Sequence, residues 1–169
     1  QSGSPKATGE LIMSVLVVEG DLLGQKVDAI VNPWNRNIIP WWLLLPQGVS
    51  GAIKRHAGVE PFREVGRHGP IPLGGAVMTG AGRLEYRAII HVAGINMFWR
   101  ASEYSVRESV RNALELAGNS GIGSIAFPLI GAGSGGARPD KVLDWMTTTA
   151  KSSSFQGDCV IVVYKPAVT

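Results

Sequence analysis

The sequence predicts an α/β sandwich built on a largely parallel sheet, and three observations predict it. Short β-branched, apolar segments alternate with amphipathic helical ones along the chain. Its 22 glycines, well above the usual share of roughly 7%, fall in clusters, two of them small-residue turns that lead into helices. The chain of 169 residues is 45% hydrophobic and 17% charged, which suits one domain with a real core and excludes a disordered or fibrous protein.

The first strand is expected over Leu11-Ile-Met-Ser-Val-Leu-Val-Val18, closed by Glu19-Gly20-Asp21, and the second over Asp28-Ala-Ile-Val31, with too little chain between them for much helix. From Asn32 to Gly48 no period holds, so a long irregular excursion is expected, and one this apolar is expected to be functional. A helix over Ser50 to Arg55 follows behind a Ser cap, then a short one over Pro61 to Val65. Strands are expected at Ala76 to Thr79 and Ala88 to Ala93. The clearest helix runs from about Ser102 to Gly118, with Val106, Val110, Ala113, Leu114 and Ala117 on one face, Ser105 and Glu108 at capping-box spacing, and Gly118 as its stop. Ser124 to Ile130 reads as a buried strand. A helix begins at Pro139, with Val142, Leu143, Met146 and Ala150 on one face, and Asp158 to Tyr164 is the last strand.

The formal net charge of +3 is mild, and the basic residues form no run that would track a phosphate backbone, so nucleic acid is a possible partner but not the favoured one. With Cys159 alone, no intrachain disulfide and no thiolate metal cluster can form, and a cytoplasmic setting is expected. Ile38 to Leu45 is interrupted by Pro40 and far short of the roughly 20 residues that cross a bilayer, so no membrane partner is expected. Residues 1–10 are polar and small and read as a flexible tail, with one domain over residues 11–169. His56, His68 and His91 lack the close spacing of a helical metal site; His91 sits in an apolar strand, where a core histidine is the commoner reading. Neither a metal nor a cofactor is expected.

The strongest local feature is Gly131-Ala-Gly-Ser-Gly-Gly136, between a buried strand and a helix. Gly131, Ala132, Gly133, Ser134, Gly135 and Gly136 leave the backbone amides unobstructed, the outline of a phosphate cradle; a tight strand-to-helix turn is the plainer alternative. Gly131, Gly133 and Gly136 fit G-x-G-x-x-G, but too little chain follows for a dinucleotide-binding half. Gln47-Gly-Val-Ser-Gly51 is a second such turn, read either as a second phosphate site or as capping by Ser50. Two of them suit a pyrophosphate. Neither Ser134 nor Ser50 has the glycine spacing of a nucleophile elbow, and no His follows Ser134, which excludes a hydrolase triad in that order.

Val18-Glu-Gly-Asp-Leu22, Asp28-Ala-Ile-Val-Asn-Pro-Trp-Asn35, Gly48-Val-Ser-Gly-Ala-Ile53, Ala57-Gly58, Ile90-His-Val-Ala93 and Phe127-Pro-Leu-Ile-Gly-Ala-Gly133 together resemble successive landmarks of the macrodomain family, over about Leu11 to Tyr164. The resemblance implies a three-layer α/β/α sandwich around a central mixed, largely parallel sheet of about six strands, with a cleft for ADP-ribose at the strand ends. It implies that Asp21 reads the adenine amino group as a buried carboxylate, with the Leu22 amide alongside; a turn or helix cap is the alternative for Asp21. It places Asn35 at the distal ribose and Asn32 as its structural companion. Gly48, Val49 and Ser50 would hold one phosphate and Gly131 to Gly136 the other. Tyr164 would pack on adenine or in the core.

The departures bear on catalysis. One hydrolytic subfamily carries an Asp in the first phosphate loop and a His four residues later, where this chain has Ser50 and Lys54; another pairs a Lys with an Asp in the second loop, where this chain has Gly135. Pro40-Trp-Trp-Leu-Leu-Leu-Pro46 replaces glycines, and Trp41 and Trp42 are read either as a lid over the distal ribose or as a core plug or dimer patch. Three functions stand: binding of ADP-ribose or an ADP-ribosylated macromolecule with hydrolysis of an ADP-ribosyl or acetyl-ADP-ribose linkage, Asn35 positioning the water; binding without chemistry; and binding of nucleic-acid ends.

Overall fold

The computed structural model describes residues 14–34, 48–96, 100–133 and 135–165. The strands are β1 (Ser14–Gly20), β2 (Ala29–Asn32), β3 (Ala76–Thr79), β4 (Ala88–Val92), β5 (Ser124–Pro128) and β6 (Asp158–Tyr164); the helices are α1 (Gly48–Ala57), α2 (Glu60–Arg67), α3 (Glu103–Asn119) and α4 (Pro139–Lys151), with a 3-10 turn at Leu22–Gly24. The sheet order is β1-β6-β5-β2-β4-β3, with β3 alone antiparallel to its neighbour. This is the mixed, mostly parallel six-strand sheet the sequence predicts.

Both faces of the central strands are covered, so their residues are apolar almost throughout, as buried parallel strands require. Alternation then decides which layer each one meets. Val31, Ile90, Phe127 and Ile161 pack with Val110 and Leu114 of α3 and Val142 and Met146 of α4. Ile30, Ile89, Ala126 and Val162 face the other way, toward Ile53 of α1 and Phe62 and Val65 of α2. Three layers result.

The boundaries differ from expectation where local chemistry intervenes. Helix α3 is capped by Ser102, which accepts from the Ser105 amide at 3.1 Å while the Ser102 amide donates to Ser105 Oγ at 2.9 Å. The box is Ser102 with Ser105, not Ser105 with Glu108. Gly118 does not stop α3, which continues to Asn119; the chain turns at Gly121 instead, whose φ of +70° lies in the left-handed region. Strand β5 ends at Pro128, two residues early, and releases Leu129 and Ile130 into the following loop. Among the described residues, no helix is long and apolar enough to cross a membrane.

Candidate functional site

The C-terminal ends of β1, β6, β5, β2 and β4 share one edge of the sheet, because these strands run parallel. Asp21 follows β1, Tyr164 ends β6, the glycine loop follows β5 and Asn32 ends β2. The N-terminus of α1 comes to the same edge. Its C-terminal Ala57 carbonyl accepts from the Arg83 amide at 2.9 Å, and Arg83 lies in the β3–β4 connection at the opposite edge. Open α/β sheets bind ligands at such strand-end crevices.

The loop after β5 engages the carbonyls of three of its glycines and leaves several amides over among the described residues. The carbonyls of Gly131, Gly133 and Gly135 accept from the amides of Ala137, Gly136 and Ala101 at 3.2, 3.3 and 3.0 Å. Among the described residues, the amides of Gly131, Ala132, Gly133 and Gly135 donate to no acceptor. Four such N–H groups on one short loop form a concentration of positive dipole suited to an anion. Gly131 has a φ of +77°, and a Cβ there would strike Ala101; a Cβ at Gly133 would meet nothing within 4 Å. One glycine is needed by the fold and the other is not.

Helix α1 begins at Gly48, φ +59°, earlier than expected. The amides of Gly48, Val49 and Ser50, ahead of the first i→i−4 bond, have no intrahelical acceptor, and no acidic side chain stands in that first turn to offset the dipole. Ser50 is therefore inside the helix and not its cap. Among the described residues its buried Oγ has no hydrogen-bond partner, and neither has Asn32 Oδ1, also buried. A buried polar atom left bare costs about 1–3 kcal/mol, so each marks a place where a donor or a water belongs.

Asp21 is the cap of the 3-10 turn, accepting from the Leu23 amide at 3.1 Å. It is exposed among the described residues, not buried as the resemblance implied, because β1 is the sheet edge. Its second carboxylate oxygen has no partner among the described residues. Leu22 beside it is buried. The Tyr86 hydroxyl, which sequence reasoning missed, donates to the Leu23 and Gln25 carbonyls at 3.1 and 2.9 Å and so fixes this turn. Burial, and then the Asp21 charge, raise the Tyr86 pKa, which keeps the phenol protonated as that donor. Tyr164 is 69% exposed, so it does not pack in the core; it pairs in register with Gly20 and stands next to Asp21. Asn35, Trp41, Trp42 and Ser134 lie outside the described residues.

His91 is a core histidine, with Phe62 packed edge-on at 5.9 Å. Burial first, and the His68 charge second, lower its pKa from 6.5 to about 3. The unfolded chain therefore binds one more proton than the folded one between these values. Stability is full above about pH 6.5 and falls as the pH drops toward 3. Urea unfolding between pH 6.5 and 5 is expected to lose up to about 1.4 kcal/mol per pH unit in the wild type and less in His91→Gln; equal slopes would remove this account of His91.

The Macro domain family model matches residues 31–146. A Citrobacter rodentium protein named O-acetyl-ADP-ribose deacetylase is 41% identical over 125 residues, covering 69% of this chain and 67% of that protein. An uncharacterized protein of Aquifex aeolicus is 38% identical over 125 residues, 73% of each chain. A mutant Oceanobacillus iheyensis macrodomain, solved with ADPR, superposes with a TM-score of 0.74 at 26% identity, over 87% of this chain and 83% of that one. The Trypanosoma brucei macrodomain in complex with ADP-ribose shares the fold, with a TM-score of 0.73 at 23% identity over 89% of this chain and 63% of that one.

Proposed function

The chain belongs to the Macro domain family, and from that premise we propose that its strand-end cleft binds ADP-ribose or an ADP-ribosylated macromolecule. The observation that carries the reading is the set of four amides at Gly131, Ala132, Gly133 and Gly135 that are unpaired among the described residues, on a loop that shares its sheet edge with the first turn of α1. One N–H cluster takes one phosphate; the pair suits a diphosphate. Asp21 then meets the adenine amino group through its unengaged oxygen, with the Leu22 amide beside it and Tyr164 flanking the base. Asn35 serves the distal ribose, and Trp41 and Trp42 wall it off.

Isothermal titration with ADP-ribose tests this, with micromolar affinity expected and no heat above dilution contradicting it. Asp21→Asn is expected to weaken that affinity about tenfold, roughly 1.4 kcal/mol, at an unchanged melting temperature. An Asn caps the 3-10 turn through its carbonyl and so turns its NH2 toward the adenine amine, donor against donor. Unaltered affinity would remove Asp21 from adenine recognition.

A second reading, hydrolysis, is favoured by the deacetylase name of the Citrobacter rodentium relative. Ser50 and Lys54 offer no carboxylate at the start of α1, so Asn35 would have to position the water without a base there. General-base help supplies about 10²–10⁴-fold, so its loss slows the chemistry without abolishing it. Incubation with O-acetyl-ADP-ribose and with ADP-ribosylated protein separates the two: release of free ADP-ribose from either substrate supports hydrolysis, and binding without release leaves a reader.

A further inference from the structure

Three neighbouring strands carry a chain of hydrogen bonds that the phosphate cradle does not use. Asn32 of β2 stands opposite His91 of β4 in the parallel register. His91 in turn faces Val77 of β3, which puts Thr79 on the same sheet face, two residues further from the strand-end edge. All three side chains are buried. Asn32 Nδ2 lies 3.0 Å from His91 Nδ1, His91 Nε2 lies 2.8 Å from Thr79 Oγ1, and Thr79 Oγ1 lies 2.9 Å from the Gly80 carbonyl.

The proton positions follow from the far end. A carbonyl only accepts, so the Thr79 hydroxyl donates to Gly80, and its oxygen then accepts from His91 Nε2–H. A neutral imidazole protonated at Nε2 has its lone pair on Nδ1, which accepts from the Asn32 NH2. The Asn32 amide cannot flip without setting its carbonyl oxygen against that lone pair. Its Oδ1 is thereby locked on the side away from His91, bare and buried, on the last residue of β2.

We infer that Asn32 Oδ1 accepts a hydrogen bond from one hydroxyl donor in the cleft, a sugar hydroxyl of the bound ligand or an ordered water, and that His91 and Thr79 are positioning residues that aim it. The sugar source rests on the ADP-ribose reading; the water source does not. Thr79 lies deeper in the sheet than Asn32 and acts only through His91, so its hydroxyl can be removed without touching the ligand.

The test combines ADP-ribose titrations of wild type, Thr79→Val and Thr79→Ser, nitrogen NMR of the His91 ring, and crystals grown with and without ADP-ribose. The wild type is expected to show His91 neutral and protonated at Nε2. Thr79→Val, which exchanges the hydroxyl for a methyl of similar shape, is expected to perturb that signal and weaken ADP-ribose about tenfold, and Thr79→Ser to restore both. Thr79→Ala replaces Thr79→Val if the latter does not fold. In the crystals, a sugar hydroxyl on Asn32 Oδ1 identifies the ligand as donor, and a water at that point with and without ligand identifies the water. Unchanged affinity with a perturbed His91 signal overturns the sugar source, and an Oδ1 without any donor in both crystals overturns the inference whole. Should the wild type itself fail to bind ADP-ribose, the functional reading falls, and the ligand-free crystal alone decides: a water on Oδ1 upholds the acceptor and its absence ends it.

Discussion

Gly133→Val is expected to leave the protein folded and to lower ADP-ribose affinity at least about 100-fold, roughly 2.7 kcal/mol. The reason is where a side chain would go. Gly133 has no positive φ, and a Cβ built on it meets no heavy atom of the described residues within 4 Å, so the described fold accepts one at little cost. Substitutions of this kind usually stay within about 0.5 kcal/mol. On the proposed function that open space is part of the cleft, and the loop's amides are useful only if an anion can approach them to hydrogen-bond distance, about 2.9 Å. Branched methyl groups at residue 133 hold it off. Melting temperature and titration read the two halves separately; full affinity at an unchanged melting temperature would show that this loop does not face the ligand.

Gly131→Val, two residues earlier in the same loop, is expected to do the reverse and damage the fold first. Its φ of +77° is one that β-branched residues rarely adopt, and a Cβ there would strike Ala101. Strain of about 1–3 kcal/mol and overpacking of similar size add. A loss of roughly 2–5 kcal/mol lowers the melting temperature of a chain this size by on the order of 10 °C. Ala101 cannot yield easily, because its amide is bonded to the Gly135 carbonyl and it bridges Ile95. A melting temperature equal to the wild type's would contradict the close approach of these two loops.

The contrast shows what was legible in the sequence. Strand and helix order could be read because buried parallel strands are apolar in runs and the α3 and α4 faces repeat at helical spacing; β6 falls at Asp158–Tyr164 as expected. The glycine loop was legible as a whole, since only small residues let amides converge. Which glycine serves the fold and which the cleft was not, for that depends on Ala101, a partner distant in sequence. Asp21 was legible as a strand-end acid, but its exposure follows from the place of β1 at the sheet edge, which local pattern does not encode. Thr79 and Tyr86 escaped notice because each acts through a contact across strands or loops. Residue type leaves Ser50 open between a cap and a phosphate contact, and a helix starting at Gly48 carries it inside, which ends the cap.

The central claim is that main-chain amides at two strand-end turns hold a diphosphate. Amide NMR on nitrogen-labelled protein tests it most directly. On addition of ADP-ribose the amide signals of Gly131, Ala132, Gly133 and Gly135 and of the first turn of α1 are expected to move together, while adenosine, which carries no phosphate, leaves them in place. Saturation with ADP-ribose that shifts neither set would contradict the account.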